Sequence, residues 1–135
     1  LFNCFIVNRN KCNNSFNSAV NLTKQIAPIM ISNGGGNVVL ITSMAGHYVY
    51  RGGSSYTVAK HAEVALAEIL RFELFQSNIR VTEIAPGNID SRGDRGGINS
   101  LTPEDVADAI KWSITVPKHV NVEHISILHV NNLSR

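Results

Sequence analysis

Val38-Val39-Leu40-Ile41-Thr42-Ser43, followed twelve residues later by Ser55-Tyr56-Thr57-Val58-Ala59-Lys60, is the part of the chain that decides its fold. The first stretch is a continuous apolar run ending in hydroxyls, the pattern of a parallel strand covered on both faces. The second opens a helix of about twenty residues, Ser55 to Gln76, with apolar positions at Val58, Ala62, Ala65, Leu66, Ile69, Leu70 and Phe72. Tyr56 and Lys60 stand four apart and so share one helical face. A cation beside a phenol makes the phenol a better proton donor. Ser43 falls at the carboxyl end of its strand, where open α/β sheets bind their ligands. A hydroxyl, a phenol and a lysine together suit the proton transfer that accompanies hydride transfer to or from a carbonyl. A Y-x-x-x-K pair by itself is usually a chance helix-surface neighbour; the order strand, hydroxyl, loop, helix gives it weight.

Working outward, Ser15 to Ile31 reads as a helix, with Phe16, Ala19, Val20, Thr23, Ile26, Ala27 and Met30 at helical spacing. Before it, residues Leu1 to Asn14 are asparagine-heavy, with Phe2 to Val7 a possible strand. Gly34-Gly35-Gly36 precedes a strand instead of following one, so it reads as a helix exit, where glycine tolerates positive φ, and not as a phosphate loop. Asn78 suits the turn before a second buried strand, Ile79 to Ile84, and Pro86-Gly87 opens a glycine-rich loop. Thr102-Pro103-Glu104-Asp105 has a threonine cap, proline at the first helical position and acids in the first turn; its helix runs to about Ile114. His124 to Val130 reads as a last strand. Strands alternating with helices predict a parallel α/β sheet with helices on its faces.

At 135 residues and 44% hydrophobic content the chain is bounded to one domain with a packed core. The formal charge of +2 is small and the basic residues are scattered, which argues against nucleic-acid binding. The isolated Arg51-Gly52-Gly53 and Arg95-Gly96-Gly97 read as turns. No stretch approaches the roughly 20 apolar residues of a membrane span. Cys4 and Cys12 form no metal-type spacing and read as free cytosolic thiols. His47, His61, His119, His124 and His129 form no recognisable ligand motif, so no metal site is expected.

Three stretches identify a family resemblance. Ile41-Thr42-Ser43-Met44-Ala45-Gly46, Tyr56-Thr57-Val58-Ala59-Lys60 and Ile79-Arg80-Val81-Thr82-Glu83-Ile84-Ala85-Pro86-Gly87 strongly resemble the short-chain dehydrogenase/reductase family. The tail from Leu101-Thr102-Pro103-Glu104-Asp105-Val106-Ala107 through Pro117-Lys118-His119-Val120-Asn121-Val122 resembles its NADP-dependent 3-hydroxy acid (serine) dehydrogenase branch. The resemblance implies an α/β fold: the C-terminal part of a doubly wound, Rossmann-like parallel sheet, covering 15–135 as a partial catalytic domain. Residues 1–14 match poorly. The family's T-G-x-x-x-G-x-G turn, which holds the cofactor pyrophosphate, has no counterpart in this sequence, so the dinucleotide-binding half is expected to be missing.

The same resemblance assigns roles. Tyr56 is the expected general acid/base, with Lys60 tuning it and holding the nicotinamide ribose, and Ser43 the expected holder of the substrate oxygen. Pro86 and Gly87 match the turn beside the nicotinamide, and Ser91 stands where a threonine often contacts the carboxamide. The family's catalytic asparagine maps onto Ser15, flanked by Asn14 and Asn17. The implied cofactor is NADP, with NAD possible, and the implied substrate a small alcohol or carbonyl compound such as a hydroxy acid. A cytoplasmic homo-oligomer is expected, pairing through the helices Ser15–Ile31 and Ser55–Gln76, where Ala59, Ala62, Ala65 and Ala67 would allow close contact. The alternative is an inactive remnant that only associates with related subunits. On either reading the isolated chain is expected to bind cofactor weakly, and strand Val38–Thr42 to lack neighbours unless Phe2–Val7 covers one side.

Overall fold

Four parallel strands lie side by side in chain order in the computed structural model, which describes residues 4–7, 12–90 and 99–132. They are β1 (Cys4–Val7), β2 (Gly36–Ile41), β3 (Ile79–Pro86) and β4 (His124–Ile127). Helix α1 (Cys12–Ser32) joins β1 to β2, α2 (Ser54–Leu74) joins β2 to β3, and α3 (Pro103–Thr115) precedes β4. The α/β class and every expected helix and strand are present, with shifted ends. Helix α1 begins three residues before Ser15, so Ser15 stands inside its first turns. Strand β3 continues through Pro86, and β4 stops at Ile127 ahead of a 3-10 turn, Val130–Asn132.

Strand β1 pairs with β2 from Cys4↔Asn37 to Val7↔Leu40, and β2 pairs with β3 from Gly36↔Ile79 to Ile41↔Ile84. The apolar β2 therefore has a neighbour on each side, which supplies its backbone groups with partners. The strand expected within Phe2–Val7 does cover one side of β2, so the sheet edge falls on β1.

One face of the sheet buries Val38 and Leu40 of β2 and Ile79 and Val81 of β3 against Ala19 and Met30 of α1 and Ala67, Leu70 and Leu74 of α2. Side chains alternate along a strand, so Val39, Thr82 and Ile84, all buried, face the other way together with Arg80. Arg80 ties this second face to the end of α3. Its guanidinium donates to the carbonyls of Ile114 (3.2 Å), Pro117 (3.1 Å) and Val120 (2.9 Å), and its Nε to Asn37 Oδ1 (2.8 Å).

The glycine run behaves as read. Gly34 N–H donates to Ile31 O (3.0 Å) and Gly35 N–H to Met30 O (2.9 Å), a Schellman closure of α1 with φ of +83° and +119° at the two glycines. Asn78, at φ 56°, makes the left-handed turn into β3. A Cβ at Gly35 would lie 2.4 Å from Asn78 O, so the two turns interlock at the amino ends of β2 and β3. Among the described residues no helix is long and apolar enough to cross a membrane.

Helix α3 starts in a full capping box. Asp105 N–H donates to Thr102 Oγ1 (3.3 Å), and Thr102 N–H donates to Asp105 Oδ2 (2.8 Å). That backbone hydrogen bond, with the Thr102 hydroxyl second, holds the Asp105 carboxyl below the ordinary aspartate range. Thr102→Ala is expected to lower unfolding stability by about 1 kcal/mol in a urea titration. A depressed folded-state pKa means that the contribution of Asp105 is complete above the unfolded aspartate pKa and is lost as pH falls through the lowered value. Asp105→Asn should therefore cost stability at neutral pH, with a difference from wild type that shrinks in acid.

Candidate active site

Ser43 follows β2 in extended conformation and caps the 3-10 turn Met44–Gly46, its Oγ accepting from Ala45 N–H at 3.2 Å. Thr42 N–H donates to Ile84 O (2.8 Å), which carries the β2–β3 ladder up to the serine. The turn then lands on α2. A Cβ at Gly46 would come within 2.8 Å of Lys60 O and 2.7 Å of Val64 Cγ2, so the backbones meet with no room for a side chain. This contact brings the segment led by Ser43 against the turn of α2 that carries Lys60.

Tyr56 is partly exposed in the first turn of α2, whereas Lys60 is buried. Lys60 Nζ lies 2.5 Å from Glu63 Oε2, and Ser15 Oγ donates to Glu63 Oε1. All three side chains are buried, at 3% exposure for Lys60, 3% for Glu63 and 8% for Ser15. A buried charge requires a partner, and each ion here has one. Of the residues near the asparagine position, Ser15 thus joins the lysine through Glu63, while Asn17 is exposed. Glu63 was not singled out from the sequence. Its only signal was a carboxylate three residues beyond Lys60 on an otherwise apolar helical face.

Pro86 ends β3, and Gly87 N–H donates to Ile127 O (2.8 Å). A Cβ at Gly87 would meet Leu128 Cδ2 at 2.7 Å, so this turn too depends on glycine. Ser43, Pro86 and Gly87 therefore lie at the carboxyl edge of the sheet, as read from the sequence. Ser91 lies outside the described residues. A concavity of about 920 Å³ lies at the other end, lined by Gly34, Arg71, Arg80 and Asn121 among others. Its size is not matched by chemistry, because the Arg80 guanidinium is already committed to backbone carbonyls.

A different cluster emerges where the histidines showed no motif. Glu83 of β3, buried at 3% exposure, accepts from the Thr42 hydroxyl, from His47 Nε2 (2.9 Å) and from His124 Nδ1 (2.6 Å). Burial works against ionisation of this carboxyl, but the hydrogen bonds from Thr42, His47 and His124 together outweigh it, leaving its pKa below the ordinary glutamate value. The spacing of the histidines gave no ligand group; the fold brings two of them onto one carboxylate.

The fold is thus a parallel α/β sheet with helices on both faces, carrying Ser43 at the exit of β2 and Tyr56 and Lys60 on α2. A sequence profile of the family described as short chain dehydrogenase matches residues 9–97, more than half of the chain. An uncharacterized oxidoreductase of Mycobacterium tuberculosis is 39% identical over 120 residues, covering 78% of this chain and 48% of that protein. The NADP-dependent 3-hydroxy acid dehydrogenase YdfG of Escherichia coli is 32% identical over 126 residues, covering 82% and 51%. The crystal structure of serine dehydrogenase from Escherichia coli superposes with a TM-score of 0.76 at 33% identity, over 89% of this chain and 50% of that one. A closed form of serine dehydrogenase complexed with NADP+ gives 0.77 at 31% identity, over 87% and 54%. The chain belongs to the short-chain dehydrogenase family, and it spans about half the length of the curated relatives it matches.

The Gly46 contact is directly testable. Gly46→Ala must push the turn off the α2 backbone and should destabilise the fold by about 1–3 kcal/mol in chemical denaturation, the usual cost of overpacking. A change at the exposed Val49, Val49→Thr, should lack that steric penalty.

Proposed function

We propose that the protein carrying this chain is an NADP(H)-linked oxidoreductase acting on a small hydroxy acid or another alcohol or carbonyl compound, with Tyr56 as general acid/base. The observation that supports this reading best is the packing of the Ser43 segment onto α2 at Lys60 through Gly46. On this reading residues 15–135 are the partial catalytic domain, and the family match reaches back to residue 9. NAD is the alternative cofactor.

The residues present fit the nicotinamide end of such a cofactor. Pro86 and Gly87 form a tight turn at the carboxyl edge of β3, and Tyr56 is open enough to be met from outside. When bound, the cofactor supplies a hydride acceptor or donor. Tyr56 takes the hydroxyl proton in alcohol oxidation and returns it in carbonyl reduction. Ser43 donates a hydrogen bond to the substrate oxygen where charge develops. Lys60 keeps positive charge close to Tyr56 and holds the ribose, while Ser15 and Glu63 fix the lysine from behind. Ser91 is the proposed carboxamide contact.

In a protein joining this chain to a glycine-rich dinucleotide-binding half, Tyr56→Phe should lower kcat by roughly 10²–10⁴-fold, the usual size of general acid–base catalysis. Circular dichroism should show the fold intact. An unchanged rate would remove Tyr56 from the proposed role.

A second reading is that the chain acts by association without turnover. It is favoured by the engagement of Lys60 with Glu63, which occupies the lysine in a buried pair. Association would use α2, where Val58 (70% exposed), Ile69 (52%) and Phe72 (80%) form an apolar stripe with Ala65. Ala67, in contrast, is buried against the sheet and takes no part. Calorimetry with NADPH on the protein joined to a glycine-rich half, and light scattering on the chain as given, separate the readings. Binding by the joined protein weaker than about 1 mM together with a dimer of the chain that Phe72→Glu dissociates supports the second. Micromolar binding by the joined protein supports the first.

A further inference from the structure

We infer that His47, Glu83 and His124 form a binding site for a divalent transition-metal ion of the zinc type, beside the turn that follows Ser43. The three residues come from three elements. Glu83 projects from the middle of β3. His124 opens β4 and is its register partner, so both side chains leave the sheet on one face. His47 directly follows the 3-10 turn Met44–Gly46 and reaches over that face. Their ligand atoms all lie within 4.8 Å of one another, with two contacts already at 2.9 and 2.6 Å.

The donor set has the right chemistry. Two imidazole nitrogens and one carboxylate suit zinc, with a fourth position left for water, and the same set suits other first-row divalent ions. Ligand atoms around a tetrahedral zinc stand roughly 3.4 Å apart at the usual bond lengths, a value lying between the closest pair and the widest allowed separation here. Side-chain adjustment of under about 1 Å would therefore admit an ion. The Thr42 hydroxyl on Glu83 Oε1 is the outer-shell hydrogen bond that orients a ligating carboxylate. The side chains of His47 and His124 are 27% and 41% exposed, so solvent and an ion have a way in. Glu83 supplies the negative charge that an ion needs in a buried place. Bound metal would pin the turn after Ser43 to the edge strand β4.

The test uses the chain as given, with zinc chloride and cobalt(II) chloride as probes. Titration calorimetry and metal analysis after dialysis should find one equivalent bound. His124→Ala, a change at an exposed residue that leaves the core packing alone, should weaken binding at least tenfold. Glu83→Gln, which keeps the shape but loses the charge, should do the same. His119→Ala should leave binding unchanged. The cobalt form should show a visible spectrum of nitrogen and oxygen ligation. Failure to bind an equivalent, retention of binding in His124→Ala, or a thiolate-to-cobalt charge-transfer band that moves the ion to Cys4 and Cys12 would each overturn the assignment.

Discussion

The contact between Gly46 and the α2 backbone is the constraint on which the rest of the arrangement hangs. Strand β2 must end, the chain must turn after Ser43, and the turn must lay Gly46 against the backbone of α2 at Lys60. Only a residue without a Cβ permits that approach, since an added methyl group would stand 2.8 Å from Lys60 O. The carboxyl edge of the sheet is thus assembled by steric fit between a strand exit and a helix, and the polar groups are placed as a result. Gly87 repeats the device at the end of β3, where it passes under Leu128.

The two buried glutamates show how different surroundings give one side chain different work. Glu63 faces a lysine and a serine inside a helix pair, so its charge is matched by a single opposite charge and a hydroxyl. Removing one member of a buried pair leaves an ion without compensation and typically costs about 3–5 kcal/mol, so this network resists change in either helix. Among the described residues, Glu83 pairs with no lysine or arginine. It is held by a threonine and two imidazoles, groups that can donate hydrogen bonds without carrying charge. The first arrangement is closed, and the second remains open to solvent on the histidine side.

Much of the fold was legible because local signals agreed with one another. The capping residues Thr102 and Asp105, the Gly34-Gly35 exit and the left-handed Asn78 each announce a chain reversal by their own chemistry. The apolar β2 and the spacing of α2 announce burial. Helix α1 was read three residues short because Cys12, Asn13 and Asn14 are weak helix formers. The site was legible where its members are close in sequence, as with Tyr56 and Lys60. It was illegible where the partners are distant: Ser15 meets Glu63 across 48 positions, and Glu83 meets His124 across 41. Those meetings depend on which strand pairs with which and in what register, information that hydrophobic periodicity does not carry. That Phe2–Val7 could flank β2 was legible from its apolar run, but its register was not.

Helix α3 is fastened unequally at its two ends. Arg80 gathers the carbonyls of Ile114, Pro117 and Val120 and ties the carboxyl end to β3. At the amino end Leu101 N–H donates to Asn88 O, Asp90 N–H to Leu101 O and Asn88 Nδ2 to Ser100 Oγ, while the side chains of Leu101 and Val106 are buried. The carboxyl end therefore rests on directional bonds from one guanidinium and the amino end on apolar burial, a driving force that weakens on cooling.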